Sequence, residues 1–253
     1  IFLEAFYCFL QFIGRDPVNW DFSNIGATSI LGTFGNPNFV SSFMSVSSIF
    51  LLLRSLSISA MPVRVAYQAL GIFSMFLVWK TGSLQGIMLI LIGISLASLF
   101  FLTGKFDRIR KIFYPLVSIG LVVAVIVGFT LSGQIPNLQK FSVNTFIYRL
   151  EYMKVGLKMF LDNPLFGVGI DSFGEHFREY RSFENFIKVP YVLVDNPHNL
   201  AISLAACSGV FVFVGYLILN LYVLTRILKF FKEINRVDFG FISLTVAWMM
   251  FVV

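Results

Sequence analysis

The chain has 253 residues, of which 57% are apolar and only 13% are charged. Soluble domains carry nearer a quarter charged residues, so this composition excludes a soluble protein and indicates an integral membrane protein. The net charge is +6. A nucleic-acid-binding protein would concentrate such charge in a basic stripe with interleaved aromatic residues outside the membrane, and the sequence lacks this pattern. We therefore expect a lipid bilayer, and no nucleic acid, as a partner.

Seven apolar runs are candidates for membrane-spanning helices, because a hydrocarbon core of roughly 30 Å needs about 20 helical residues. The runs show no alternation of period two, which favours helices over barrel strands. They are residues 1–13, 38–53, 63–79, 84–102, 112–131, 198–225 and 239–253. The predicted fold class is an all-α polytopic integral membrane protein. Both end runs look cut, so we expect residues 1–253 to be a single transmembrane domain and a fragment of a longer chain.

Basic residues predict the orientation, since short cytoplasmic loops carry an excess of Lys and Arg. The loops after the second, fourth and sixth runs hold Arg54, Arg64, Lys105, Arg108, Arg110, Lys111, Arg226, Lys229, Lys232 and Arg236. The long segment 132–197 falls on the opposite side, with seven basic and seven acidic residues. We expect this segment to be an extracytoplasmic loop, and a loop of this length is usually functional.

On the same outer side, the stretch "LGTFGNPNFVSSFM" contains Asn36, Pro37 and Asn38. An Asn-Pro-Asn sequence before an apolar run predicts a turn that leads into a helix start. The amino end of a helix exposes unpaired N–H groups and a partial positive charge, which favour anions. We therefore expect a ligand rich in negative charge between this helix start and a second one at the end of the long loop.

The long loop begins with a predicted amphipathic helix, "NTFIYRLEYMKVGLKMFLDNP". Its apolar stripe recurs at spacings of four and three, and Asn163-Pro164 ends it; the stripe is Phe146, Leu150, Met153, Leu157 and Phe160. Glu151 and Lys158 fall on one flank of the stripe, and Arg149 falls on the other flank beside Tyr152. Arg149 either serves a site or extends to lipid headgroups.

The next stretch, "PLFGVGIDSFGEHFREYR", contains no motif that predicts a cofactor or metal site. Gly167-Val168-Gly169 lacks the third glycine and the preceding strand of a dinucleotide site, so we expect a tight, close-packed turn. Glu175, His176 and Glu179 lack further ligands at suitable spacing, so no metal site is predicted. The charged residues here, which include Arg178 and Arg181, are expected to form a solvated face.

The loop ends with "VDNPHNL", directly before a long apolar run. We expect Asp195 or Asn196 to cap the incoming helix and Pro197 to take its first position. His198 and Asn199 would then occupy the first turn, where the helix dipole disfavours a charged imidazole and keeps His198 neutral. The alternative is an interfacial histidine that bonds a neighbouring loop.

Three stretches occur in an order that resembles a known superfamily: "GTFGNPNFVSSFM", "RLEYMKVGLKMFLDNPLFGVGIDSFGEHFREYR" and "DNPHNLAISLAACSGVFVFVGYL". They resemble the O-antigen ligases and O-antigen polymerases, which are bacterial membrane glycosyltransferases. The resemblance implies a GT-C-like helical bundle in the inner membrane, with the large loop lying over an active site that faces the periplasm or cell exterior. It implies glycan transfer from undecaprenyl-pyrophosphate to a sugar or glycolipid acceptor, without a cofactor and without a metal.

By position, the resemblance implies that Arg149 meets the pyrophosphate and that His198 is the histidine at the loop end, suited to act as general base. From the two helix starts we also expect substrate contacts from Asn36, Asn38 and Asn199. Tyr152 either stacks on a sugar or lies at the membrane interface. Many members carry a Ser-Arg pair before a span, whereas "WKTGSLQGIML" has Leu84 and Gln85 there. We expect Lys80 or Gln85 to replace the missing arginine.

Two other classes of protein compete with the glycosyltransferase. A transporter or flippase of lipid-linked oligosaccharide needs ionisable residues within its spans, and only Glu4 qualifies. A purely structural membrane subunit does not need Arg149, His198 and two polar helix starts together. The motifs leave open whether the chain resembles a ligase or a polymerase, and which sugars it handles.

Overall fold

The computed structural model describes residues 1–18, 30–103, 143–188, 190–233 and 238–252. Within these ranges every regular element is helical, and a short 3₁₀ turn, Gly32–Phe34, precedes the second α-helix. The α-helices are α1 (Phe2–Phe12), α2 (Pro37–Ser55), α3 (Met61–Lys80), α4 (Leu84–Thr103), α5 (Val143–Asp162), α6 (Phe173–Tyr180), α7 (Phe183–Lys188), α8 (Leu200–Glu233) and α9 (Phe239–Val252). The predicted all-α class is confirmed. The predicted span 112–131 lies outside the described residues.

Three of these helices are long and apolar enough to cross a membrane: Pro37–Ser55, Met61–Lys80 and Leu200–Phe230. Shorter apolar helices occur at Phe2–Phe12, Leu84–Ser98 and Phe239–Val252 in the part of the chain that was searched. Six of the seven predicted spans thus coincide with helices, and the chain is an all-α membrane protein.

The chain divides into two compact units. Unit 1 comprises Ile1–Val125 and Ile234–Val253, and unit 2 comprises Ile126–Glu233. The single transmembrane domain over residues 1–253 stays a prediction.

Unit 1 is built around α2, which contacts α3, α4 and α9. Small residues allow these helices to approach closely. This is usual in membranes, where helices associate through close packing and not through the hydrophobic effect. A Cβ on Gly86 of α4 would stand 2.6 Å from Cβ of Ser41. Beside it, the Ser45 hydroxyl donates a hydrogen bond to the Gly86 carbonyl at 2.8 Å. The starts of α2 and α4 therefore lie side by side.

Unit 2 packs α5 and α6 against the first part of α8. Its core consists of Val155, Met159, Phe173, Phe177, Val194, Ala206 and Cys207. The helix predicted from the loop sequence exists, but the predicted apolar stripe is not its packed face. Leu150 and Leu157 are 41% and 46% exposed, whereas Val155 and Met159 are buried. The helix α5 has apolar residues on two sides, and hydropathy alone does not tell the packed side from the exposed side.

The helix α8 is interrupted at Gly209, whose φ of 76° and ψ of −172° are not helical. Residues 164–169, named the brace, bind the backbone around the interruption. The Val168 N–H donates to the Ala206 carbonyl at 2.8 Å, and the Gly169 N–H donates to the Cys207 carbonyl at 3.1 Å. The Val210 N–H in turn donates to the Pro164 carbonyl at 2.8 Å. These bonds satisfy backbone N–H and C=O groups that the break would leave unpaired. Unpaired backbone groups are costly within a membrane because no water is there to bind them.

Glycines make this contact possible. A Cβ on Gly167 would collide with the backbone of Cys207, and a Cβ on Gly209 would collide with the backbone of Leu165. The prediction of a close-packed turn at Gly167-Val168-Gly169 is thereby confirmed. Its packing partner, an interrupted membrane helix, was not predicted.

Candidate functional site

In unit 2, α5 brings Arg149 and Tyr152 to the segment that carries His198. Residues three apart lie on one helix face, so Arg149 and Tyr152 are neighbours. The ring centroids of Tyr152 and His198 are 5.8 Å apart, with an angle of 38° between the planes. Arg149 is close enough for its charge to act on the titration of His198. We name these three residues the loop cluster.

Gly156, one turn further along α5, explains how the segment comes so close. A Cβ at this position would stand 2.7 Å from Cγ2 of Ile202 and 3.4 Å from Cβ of Pro197. The segment from Pro197 to Ile202 therefore packs directly on the α5 backbone. Pro197 is buried and His198 is exposed, so this packing holds His198 at the surface beside Tyr152.

The predicted cap of the last long helix is wrong. Asn196 Oδ1 accepts a hydrogen bond from the His198 N–H at 2.9 Å, which closes a local turn instead of capping the helix. Asn199 is the capping residue, because its Oδ1 accepts from the Ile202 N–H at 3.0 Å. The helix begins at Leu200, so Pro197 is not at its first position, and His198 and Asn199 are not in its first turn.

His198 instead lies within a tight turn and has a φ of 54°. A residue other than glycine adopts this left-handed conformation uncommonly. Such local strain clusters at functional sites, where the surrounding structure maintains it. Here the Asn196 turn on one side and the Asn199 cap on the other hold His198 in place.

Partial desolvation lowers the pKa of His198, and the positive charge of Arg149 lowers it further. The imidazole is therefore neutral at neutral pH, as the sequence suggested, but the cause is not the predicted helix dipole. Burial raises the pKa of the Tyr152 phenol, with a smaller contribution from Tyr148. Tyr152 accordingly keeps its proton and can donate a hydrogen bond, while His198 can accept a proton.

Arg181 corrects the expectation of a wholly solvated charged segment. It is 9% exposed, and its guanidinium donates to the carbonyls of Pro190 at 3.1 Å and Val192 at 3.3 Å. The guanidinium also lies 4.6 Å from the centroid of the Phe186 ring. Arg181 therefore fixes the position of residues 190–192, which lead to the loop cluster. The other charged residues of this segment, Glu175, Arg178 and Glu179, are exposed as expected.

His176 has a local role. Its Nδ1 lies 3.0 Å from the Ser172 carbonyl oxygen, one turn earlier. The part of the chain that the structure describes has no group of three or more His, Cys, Asp or Glu side chains suited to a metal ion.

In unit 1, Asn36, Asn38 and Gln85 come together at the starts of α2 and α4. Asn36 caps α2, since its Oδ1 accepts from the Asn38 N–H at 2.8 Å, and Pro37 follows as the first helical residue. The predicted turn and helix start are confirmed. Asn38 Oδ1 accepts from the Ser83 hydroxyl at 2.8 Å, and Gln85 Nε2 donates to the Ser42 hydroxyl at 3.0 Å. We name the five polar residues Asn36, Asn38, Ser42, Ser83 and Gln85 the amide cluster.

The buried carboxylate of Glu4 fixes the loop that leads to the amide cluster. Glu4 is 8% exposed, and its two oxygens accept from the Thr33 N–H at 2.9 Å and the Thr33 hydroxyl at 2.6 Å. Gln11, two turns along α1, accepts from the N–H groups of Leu31 and Gly32 at 2.9 and 2.8 Å. Glu4, the residue that a transporter would use to bind an ion, thus anchors the loop before Asn36. The seven-residue spacing of two polar side chains on an apolar helix was the signal that sequence reasoning missed.

Lys80 lies among aromatic rings. Its Nζ is 4.6 Å from the ring centroid of Trp79, 5.3 Å from that of Phe12 and 5.6 Å from that of Phe76. A cation on aromatic faces gains electrostatic energy, and such groups mark membrane interfaces. Of the two residues expected to replace the missing arginine, Gln85 lies in the amide cluster and Lys80 lies in this aromatic cage.

The described chain is thus an all-α membrane protein with one polar cluster at the starts of α2 and α4 and another where α5 meets the turn before α8. A family model described as O-antigen ligase matches residues 69–217, more than half of the chain. The chain belongs to the O-antigen ligase family, and its function is of the O-antigen ligase, glycosyltransferase-like type. The match contains the loop cluster, whereas Asn36 and Asn38 precede it. No curated protein and no solved structure gave a significant match.

Proposed function

We propose that this protein transfers a glycan from undecaprenyl-pyrophosphate to a hydroxyl group of a sugar or glycolipid acceptor in cell-surface polysaccharide assembly. The observation that carries the proposal is the loop cluster. It joins a fixed cation, Arg149, to a histidine whose pKa is lowered. Neutral imidazole is suited to accept a proton from a sugar hydroxyl, and guanidinium is suited to the oxygens of a pyrophosphate.

In the proposed reaction, His198 removes the proton of the acceptor hydroxyl while the oxygen attacks the anomeric carbon of the donor glycan. The bond between this carbon and the pyrophosphate oxygen breaks, and its electron pair leaves with the carrier. Arg149 stabilises the negative charge on the pyrophosphate, so the leaving group needs no proton. The proton remains on His198 until water takes it up.

Two further residues of unit 2 contribute to substrate binding. Tyr152, whose phenol stays protonated, offers a hydrogen bond and an aromatic face beside His198. Asn199 is exposed, and its Oδ1 is occupied by capping, so its amide nitrogen is the group that donates to substrate.

In unit 1, we assign substrate binding to Asn36, Asn38 and Gln85. Amide groups bind sugar hydroxyls as donors and acceptors, and two adjacent helix starts favour phosphate oxygens. Gln85 takes the place of the family's arginine without its charge. Lys80 supplies positive charge nearby in the sequence, held in its aromatic cage.

The proposal places the protein in the bacterial inner membrane as a GT-C-like bundle, with the loop 132–197 over an active site that faces the periplasm or cell exterior. Glu179 is exposed on α6, so a Glu179→Cys variant tests this orientation. It should react with an impermeant maleimide in intact cells whose outer membrane has been made leaky. Reaction only after lysis of the inner membrane would reverse the topology.

The function itself is tested in proteoliposomes with an undecaprenyl-pyrophosphate-linked glycan and an acceptor. We expect glycan transfer together with release of undecaprenyl-pyrophosphate, both lost in His198→Ala and both unchanged by a metal chelator. A flippase would carry the intact donor across the bilayer without cleaving it. Donor movement without transfer would therefore refute the proposal in favour of the transporter.

A further inference from the structure

The face of α5 that points away from the unit 2 core is apolar. Leu150, Leu157 and Leu161 are 41%, 46% and 72% exposed. At about 100° per residue these three side chains fall within a narrow stripe. In the brace and the turn after it, the apolar residues Leu165, Phe166 and Ile170 are likewise 55%, 77% and 85% exposed. We name these six residues the apolar rim.

The apolar rim is fixed in its outward orientation. Backbone bonds join the brace to α8 on the other side, at Val168, Gly169 and Pro164. Gly167 and Gly209 bring the two backbones so close that no side chain fits between them. Phe166 and Ile170 therefore have no room to turn inward at this contact.

The rim is continuous with a membrane-spanning helix. The ring centroids of Phe166 and Phe211 are 6.3 Å apart, and Phe211 belongs to the span Leu200–Phe230. Phe211 and Ile218, two turns further along the span, are 67% and 61% exposed. Phe166 thus lies beside the exposed, lipid-compatible face of α8.

Charges flank the rim in a way that fits a membrane surface. Lys154 and Lys158 are exposed on one side of the Leu150–Leu161 stripe, where Lys154 also lies 3.9 Å from a carboxylate oxygen of Glu151. Arg149 lies on the other side. Amphipathic helices with apolar residues on one face and Lys or Arg at its margins lie in the interface of a bilayer, about 5–10 Å deep.

We propose that the apolar rim is a membrane-insertion surface, and that it places α5 and the brace among the lipid acyl chains next to the start of the α8 span. The occupant of this surface is the bilayer. Because the brace and Gly156 connect the rim rigidly to His198, insertion sets the height of His198 above the acyl chains. This inference does not depend on the reaction assigned to the loop cluster.

Spin labels in proteoliposomes test the proposal. Phe166→Cys and Ile170→Cys carry the label at the rim, Ile218→Cys is the lipid-facing reference and Glu179→Cys is the aqueous reference. The unmodified chain, whose Cys8 and Cys207 are buried, is the labelling blank. Apolar oxygen and a polar nickel chelate then report access from lipid and from water.

We expect the Phe166 and Ile170 labels to resemble the Ile218 label, with high oxygen access and several-fold lower nickel access than the Glu179 label. Nickel access equal to that at Glu179 would mean that the rim faces water, and would overturn the proposal. Exclusion of both reagents with an immobilised spectrum would mean that protein covers the rim, and would overturn it equally.

Discussion

The amide cluster lies at two helix starts, whereas the loop cluster lies where the middle of α5 meets the turn before α8, and the two differ in chemistry. The loop cluster contains ionisable groups, and burial together with the positive charge of Arg149 lowers the pKa of His198. The amide cluster consists of neutral Asn, Gln and Ser side chains that bond one another. Proton transfer needs a group with a tuned pKa, whereas sugar binding needs neutral donors and acceptors. Under the proposed function, the reaction chemistry therefore belongs to unit 2, and the amide cluster binds substrate.

The two clusters are also held differently. The amide cluster is built on packed helices with an inner support from Glu4 and Thr33. The loop cluster depends on a turn with unusual backbone angles at His198. A binding surface tolerates small shifts, while a proton acceptor must be held in one geometry, and local strain supports this.

The largest effect is expected at His198. His198→Ala should lower the rate of glycan transfer roughly 10²–10⁴-fold, because the general base is lost, while the donor still binds. His198→Gln keeps a hydrogen-bonding group but accepts no proton, so it should be nearly as poor. The rates are measured in the proteoliposome assay, with donor binding measured separately. Substantial transfer by His198→Gln, with an unchanged pH dependence, would show that His198 only positions the acceptor.

Arg149→Lys should lower transfer by roughly 10²-fold, the size expected when one well-placed stabilising donor is lost. Lysine keeps the charge but not the paired donors that match phosphate oxygens. Arg178→Lys, an exposed arginine of the same unit, is the matched control and should leave the rate unchanged. Near-normal transfer by Arg149→Lys would mean that a point charge is sufficient.

Gly209→Ala tests how rigidly unit 2 is held. The backbone angles at Gly209 favour glycine, and a Cβ would collide with Leu165, so the substitution should cost on the order of 1–3 kcal/mol. It should lower the temperature of unfolding in detergent and the amount of protein in the membrane. Gly215→Ala in the same helix is the control, since a Cβ there meets no described atom within 4 Å. Equal stability of the two variants would argue against the brace.

A smaller effect, about tenfold or less, is expected in the amide cluster. Gln85→Ala removes one neutral hydrogen bond, and such bonds contribute about 0.5–1.5 kcal/mol. It should raise KM for the donor and leave kcat nearly unchanged. Lys80→Ala should change KM less, because the ammonium is engaged with aromatic rings. A fall in kcat alone for Gln85→Ala would place this residue in the reaction chemistry and break the distinction between the clusters.

The smallest effect is a displacement of the pH profile. In the proposed mechanism transfer requires neutral His198, so the rate should fall as pH drops through its lowered pKa. Arg149→Gln removes one of the two causes of the lowering, so the pKa should rise and the acidic limb should move to higher pH. Arg149→Lys retains the charge and should keep the limb in place. An unmoved limb in Arg149→Gln would show that desolvation alone sets the pKa of His198.

Sequence alone predicted much of the fold because its signals are local. Apolar runs of membrane length identified the helices, and Asn36-Pro37-Asn38 identified the start of α2, since a cap, a proline and a following helix depend only on neighbouring residues. The motifs around Arg149 and His198 were sufficient to indicate the family. Tyr152 and His198 could be named, but their contact could not, because it depends on how closely Gly156 lets two distant segments approach.

Tertiary structure decided what competing local signals left open. Asn196 and Asn199 are both residues that favour the N-cap position. Pro197 packs on α5, so the helix α8 begins after it and Asn199 is its cap. The sequence predicted a solvated Arg181, but in the fold its guanidinium donates hydrogen bonds to the carbonyls of Pro190 and Val192. The break at Gly209 is stable only because the brace replaces its missing backbone bonds. Each of these outcomes depends on a partner distant in the sequence, since a buried polar or backbone group is stable only where another part of the fold supplies its hydrogen bond.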